Sequence, residues 1–191
     1  MTKRKFANLV STVGNPLILS VLVAIYINFK SFPFEQALTL TGILVLFAVI
    51  PVFFYINRKV KEGNYADHDV SARTKRPSLY LIGLSALGVM ILALYLTKQP
   101  MSIVFGAWAA WMLTLLSFLI NYKLKTSLHV GFSFLIAFLA LSSDLLAGGI
   151  LLAFGFLVGW SRLILKRHTL PEIFMGASLG TIIGTIYWSF V

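Results

Sequence analysis

Seven long apolar runs, each bounded by charged or turn-forming residues, organise the chain. They extend from Leu9 to Phe29, Gln36 to Ile56, Ser78 to Leu96, Met101 to Ile120, Ser127 to Leu141, Leu145 to Leu165 and Pro171 to Val191. A helix that crosses a bilayer core needs about 20 apolar residues, and all but the short fifth run approach that length. Only Ser142, Ser143 and Asp144 separate the fifth run from the sixth, which predicts a tight helical hairpin. The apolar residues come in unbroken blocks rather than in alternation, which excludes the strands of a transmembrane barrel. The pattern predicts an all-α polytopic integral membrane bundle of about seven transmembrane helices. Residues 1–191 read as one transmembrane domain without a soluble appendage.

Composition points the same way. The chain is 59% hydrophobic and 12% charged, with a mean hydropathy of +0.90, whereas soluble domains average about 45–50% apolar and about 25% charged residues. Lys3, Arg4 and Lys5 precede the first run as in a secretory signal, but no small-residue cleavage site follows, so the run reads as a retained helix. Cysteine is absent, which excludes disulfides, thiol nucleophiles and thiolate metal sites.

Sixteen Lys and Arg against six Asp and Glu give a net charge of +10. In a soluble protein that excess would suggest nucleic acid; here the bilayer supplies the reading, and no nucleic-acid partner is expected. Three cations at Lys3–Lys5, six from Arg58 to Arg76, Lys123 and Lys125, and three from Arg162 to Arg167 fall on one side of a seven-span topology. Only Lys30 and Lys98 lie opposite. The positive-inside rule makes the basic side, with the N-terminus, cytoplasmic. Setting aside six cations suited to a site leaves eight against two, and the orientation stands. The location expected is a bacterial-type inner or plasma membrane.

The polar chemistry gathers on that basic side. His68, His129 and His168 all lie there, as do Glu62, Asp67, Asp69 and Glu172. Alternating helix directions bring three segments together: the loop from Asp67 to Pro77, the stretch Thr126-Ser127-Leu128-His129, and the stretch from Ser161-Arg162 through His168 to Glu172. Pro77 suits the first turn of a helix. His168 and Glu172 are four apart and share a face if helical. A carboxylate on one imidazole nitrogen fixes the tautomer and leaves the other nitrogen free to attack or to move a proton. Arginine beside such a pair suits a phosphate, because its planar fork binds two oxygens.

Arg76-Pro77, then Ser127-Leu128-His129, then Ser161-Arg162 with His168 six residues after the arginine and an acid four later resemble the type 2 phosphatidic acid phosphatase (PAP2) superfamily of membrane lipid phosphatases. The resemblance covers roughly Asp67 to Gly184, and the third motif is its specific part. It implies a PAP2-like core and a phosphatase acting on a lipid phosphate or pyrophosphate without metal or cofactor. It further implies that His168 is the nucleophile forming a phosphohistidine, with Glu172 orienting it and His129 protonating the leaving alcohol. Arg76, Arg162 and Ser127 would hold phosphate oxygens, with Arg73 or Lys75 as further cations. The chain differs from the family pattern at Asp69, where the family has lysine, and at Thr126 and Leu128, in place of proline and glycine. Glu172 stands for the family's aspartate. These differences motivate a second reading, a catalytically degenerate relative that binds or moves an anionic lipid. Under both, the partners are a phosphorylated lipid and the surrounding membrane lipids.

Plainer readings apply elsewhere. Asp67-His68-Asp69 offers metal-ligand types, but three sequence neighbours rarely converge on one ion, and a solvated loop is expected. Gly176, Gly180 and Gly184 recur every fourth residue, as do Gly155 and Gly159; small residues at this spacing let helices approach closely. Trp108, Trp111, Trp160 and Trp188 read as core or interfacial anchors.

Overall fold

A computed structural model describes residues 2–191 and, among them, contains helices and no strand. The helices are α1 (Lys3–Val13), α2 (Pro16–Ser31), α3 (Phe34–Leu44), α4 (Ile50–Lys61), α5 (Arg76–Leu96), α6 (Met101–Ile120), α7 (Leu128–Leu141), α8 (Leu145–Ile164) and α9 (Leu170–Tyr187). A π-helical turn at Val45–Val49 fuses α3 and α4, and a 3₁₀ turn at Arg73–Lys75 leads into α5. Five helical stretches are long and apolar enough to cross a membrane: Phe34–Lys61, Arg73–Leu96, Met101–Ile120, Leu145–Ile164 and Leu170–Tyr187. Large apolar side chains such as Leu22, Phe54, Leu81, Leu119, Phe156 and Phe174 face outward, as lipid-facing positions of an integral membrane protein do.

The first apolar run is not one straight span. It divides into α1 and α2, bent by 61°, and the sequence Gly14-Asn15-Pro16 causes the break. Pro16 has no N–H to continue the ladder and its ring would strike the carbonyl four residues earlier. Asn15 then starts the new helix, its Oδ1 accepting the Leu17 amide at 3.0 Å. Counting this bent pair gives a sixth candidate span. Pro51 causes no such break. The turn before it widens, with the Ile50 amide bonded to the Val45 carbonyl, which makes room for the ring within a continuous stretch from Phe34 to Lys61.

The fifth predicted span is α7, and its 14 residues are too few for a lipid-exposed crossing. The surroundings account for its length. Nine of its residues are buried, from His129 to Ala140, and it packs between α8, α9, α2 and α6. The α7–α8 hairpin forms across Ser142–Asp144, where Asp144 caps α8 by accepting the Ala147 amide at 3.0 Å. The glycine stripe of α9 lies on α7: a Cβ at Gly176 would stand 2.6 Å from the Ser127 carbonyl oxygen, and one at Gly180 would strike the Gly131 carbonyl. Between lipid-embedded helices, such close packing supplies the dispersion contacts that hydrophobic burial cannot. It also fixes the start of α9 against the start of α7, where the polar residues lie.

Candidate functional site

The site is built from the ends of α5, α7, α8 and α9 and from the loop that precedes α5. Alternating helix directions bring these ends together, as cross-links between them show. Arg76, buried at the start of α5, donates from Nε to the Val70 carbonyl at 3.0 Å and from Nη1 to the Thr126 carbonyl at 2.8 Å. The Ser127 amide donates to the Glu172 carbonyl at 3.1 Å, tying α7 to α9. At the opposite end of the bundle, Lys30 and the Tyr26 hydroxyl meet Asp144 at 2.5 and 2.7 Å.

His168 is the best-defined group. It is buried, and its Nδ1 lies 2.8 Å from Glu172 Oε2. The same oxygen accepts the Thr169 amide at 3.1 Å, so Oε2 is an acceptor and Nδ1 carries the proton. The pair does not lie along a helix: His168 precedes α9, and Glu172 in the first turn reaches back to it. Burial, followed by the positive charges of Arg76, Lys125 and Arg162, holds the His168 imidazole well below the ordinary histidine range. It is therefore neutral, with Nε2 left as a lone pair.

Arg162 is the most buried cation, 1% exposed. Its Nη1 donates to Ser11 Oγ at 2.6 Å and to Asp69 Oδ2 at 2.9 Å, while its Nε has no partner. The Ser127 hydroxyl at the start of α7 is likewise buried without a partner. Two buried polar groups left unpaired in one cluster are uncommon and costly. Both are suited to donate to an anion.

Asp69 is the internal counter-ion. Besides Arg162, it faces His129, with Oδ1 to Nε2 at 3.6 Å, and Arg167, with Oδ2 to Nε at 3.8 Å. Burial raises its carboxyl, but His129, Arg162 and Arg167 outweigh that and hold it below the ordinary carboxylate range. The loop that carries it is bent sharply. The Asp69 amide bonds Asp67 Oδ1 at 2.9 Å, and Val70 sits at φ 48°, a strained setting for a β-branched residue. Val70 is also buried, and its carbonyl is the acceptor for Arg76, so loop and arginine hold each other in place.

Of the residues expected from sequence, His129, His168, Glu172, Arg76, Arg162 and Ser127 meet at this end of the bundle. Arg73 and Lys75 do not join them. Arg73 donates from Nη1 to the Tyr122 and Lys123 carbonyls at 3.0 and 2.9 Å, completing the end of α6, and Lys75 is exposed. Two cations outside the expected phosphate-binding set also stand here: Arg167, one of the six set aside as suited to a site, bound to Asp67 at 3.0 Å and Ser71 at 2.8 Å, and Lys125, whose Nζ donates to the Arg167 carbonyl at 2.8 Å. Burial and the neighbouring Arg76 lower Lys125 from its ordinary range. The adjacency of Arg167 to His168 was a usable signal; nothing in the sequence pointed to Ser11. The Asp67-His68-Asp69 trio diverges to Arg167, Asn57 and Arg162 respectively, and among the described residues no three side chains group as metal ligands.

Two openings reach the cluster. A cavity of about 330 Å³ inside the bundle ends at Asp69, Arg76 and His129, with Leu128 also in its wall. A polar cleft of about 360 Å³ on the other side is lined by Arg4, Asn8, Ser71, Lys125, Lys166 and Arg167. No protein family, curated protein or solved structure matches the chain.

Proposed function

We propose that the chain is a phosphatase that removes a phosphate or pyrophosphate group from a lipid through a phosphohistidine at His168, as its resemblance to the PAP2 superfamily implies. The observation that carries the reading is the buried His168, its Nδ1 held by Glu172 at 2.8 Å among Arg76, Arg162 and Lys125. In this mechanism the Nε2 lone pair attacks phosphorus in line with the lipid oxygen, the phosphorus–oxygen bond breaks, and His129 gives its proton to the leaving alcohol. Arg162 and the Ser127 hydroxyl donate to the phosphoryl oxygens, and Arg76 adds positive charge without leaving its carbonyl partners. A water then attacks the phosphohistidine as His129 takes its proton; the phosphorus–nitrogen bond breaks, inorganic phosphate leaves, and Nε2 regains its lone pair while His129 regains its proton. None of these steps uses a metal ion.

Phosphate release by the purified protein, with chelator present, from a panel of lipid monophosphates and pyrophosphates tests the proposal. Release that His168→Ala abolishes supports it, and no release from any substrate by folded protein overturns it. The Asp69 carboxylate on Arg162 favours the second reading, a non-catalytic protein that binds or moves an anionic lipid, since a phosphate must displace it. That reading predicts lipid binding without turnover.

The membrane placement belongs to the same proposal: a bacterial-type inner or plasma membrane, with the basic end and the site on the cytoplasmic side, from the charge bias of the loops. A single cysteine at Lys61→Cys is expected to resist impermeant maleimide in intact cells. Labelling from outside would reverse the orientation.

A further inference from the structure

α1 departs from the direction of the bundle. The break at Gly14-Asn15-Pro16 bends it by 61° from α2, so with α2 near the membrane normal α1 runs about 30° from the membrane plane. Its packing agrees. The Phe6 ring meets the Trp160 ring at 5.9 Å, Ser11 Oγ accepts from Arg162 at 2.6 Å, and a Cβ at Gly14 would stand 2.5 Å from Val158 Cγ2. Phe6 to Gly14 is about 12 Å of helix, whereas Val158 to Arg162 is about 6 Å. α1 therefore crosses the last turns of α8 instead of running beside them, and those turns lie at the basic end of the bundle.

The residues of α1 divide into three faces. Ala7, Val10 and Ser11 are buried against the bundle. Phe6 and Leu9, three apart, share an outward apolar face and are 41% and 54% exposed. Arg4 and Asn8, four apart, border the polar cleft. Lys3, Arg4 and Lys5 are all exposed, and among the described residues no carboxylate pairs with them. They occupy the first turn, where the helix dipole favours acids and opposes cations, and α1 has no acid there. The cleft beside Arg4 brings Lys125, Lys166 and Arg167 near it and no acid. The protein thus supplies this charge with no counter-charge of its own, and the membrane surface on which the helix lies can do so. An apolar face, a cationic start and a course close to the membrane plane are the features of helices held at a lipid headgroup layer.

We infer that α1 docks on anionic lipid headgroups at the basic end of the bundle, with Lys3, Arg4 and Lys5 among the phosphates and Phe6 and Leu9 at the top of the acyl chains. The inference is independent of the phosphatase reading, because it concerns the lipids around the protein and uses no group of the His168 site.

Quenching by spin-labelled lipids tests it in the full chain, which has no cysteine of its own. A bimane fluorophore is attached to Leu9→Cys or, as control, to Val89→Cys, 50% exposed in the middle of α5. Each protein is placed in phosphatidylcholine vesicles that carry the same mole fraction of nitroxide-labelled phosphatidylglycerol or nitroxide-labelled phosphatidylcholine. The ratio of quenching by the two lipids cancels the depth of the fluorophore and reports local enrichment of the anionic one. At Leu9→Cys it is expected to favour phosphatidylglycerol by about fivefold or more, the worth of one cation near an anionic surface. It is expected to be even at Val89→Cys, and to become even at Leu9→Cys when Lys3→Gln, Arg4→Gln and Lys5→Gln are combined. An even ratio at Leu9→Cys, which cations serving orientation alone would give, overturns the inference. So does an equal preference at Val89→Cys, a preference that the neutral variant keeps, or the absence of quenching by either lipid. Should the neutral variant fail to fold, salt takes its place: screening removes attraction between exposed charges, and a preference at Leu9→Cys that survives high ionic strength overturns the inference as well.

Discussion

The two halves of the bundle are packed on different principles. In α7, α8 and α9, backbones touch: Gly176 and Gly180 admit carbonyl oxygens where a Cβ would stand, Gly131 leaves a Cβ only 3.3 Å from the Gly176 carbonyl, and Gly155 lies against the Phe134 ring. In the ring from α2 to α6, a Cβ at Gly83 or Gly106 would meet only ordinary van der Waals neighbours, and both glycines line the cavity. The catalytic histidines proposed here belong to the tight half, and the cavity lies between that half and the looser ring. Rigid packing suits groups that must stay within fractions of an ångström of a productive geometry.

The largest effect that sharpens this comparison is chemical. His168→Ala is expected to lower phosphate release by on the order of 10⁴-fold or more, as loss of a nucleophile does, while detergent melting shows the fold retained. Residual activity near that of the parent would remove His168 from the mechanism.

Alanine substitution distinguishes the two halves directly. Gly180→Ala forces the α7–α9 contact apart and is expected to destabilise by about 1–3 kcal/mol. Gly83→Ala, with open space around its Cβ, is expected to stabilise by up to about 1 kcal/mol through helix propensity. Thermal melts of the two variants check this, and equal shifts would dissolve the distinction between the halves.

Asp69→Asn probes the internal counter-ion. Removing the carboxylate frees Arg162 for an anion and is expected to tighten lipid-phosphate binding about tenfold, the worth of one charge-assisted hydrogen bond. Titration of phosphate analogues against both forms measures it. Unchanged affinity would mean that Asp69 does not compete with phosphate.

The smallest effect is in pH. The folded His168 is depressed below its unfolded value of about 6.5. Its contribution to stability is therefore present above about pH 6.5 and is lost as pH falls below it, because only the unfolded chain binds the proton easily. His168→Gln is expected to flatten the decline in melting temperature between about pH 6.5 and 5 relative to the parent. Parallel profiles would show that His168 is not held neutral. Asp69, also depressed, contributes stability above the ordinary carboxylate value, and that contribution is lost only as pH falls below it.

Much of this was legible in the chain because it is local. Apolar runs mark helices, Arg76-Pro77 starts one, Ser142–Asp144 turns a hairpin, and a four-residue period of glycine marks a contact face. The pairing of His168 with Glu172 also needed only local geometry, although it forms around a helix start and not along a helix. The break at Gly14-Asn15-Pro16 was present in the sequence too, hidden by the apolar residues on both sides.

What the sequence determined by itself, then, is the membrane class, the helical elements and the gathering of cations and histidines at one end, because composition, periodicity and alternation of direction act along the chain. Only the tertiary structure decided which side chains meet. It gave Asp69 to Arg162 across 93 positions and Ser11 to the same guanidinium across 151. It turned Arg73 away to the end of α6, buried the short α7, and left an apolar cavity that ends at Asp69, Arg76 and His129. Contacts between residues so far apart follow from how helices pack and tilt, and packing depends on the shapes of all the side chains at once, which no spacing along the chain records.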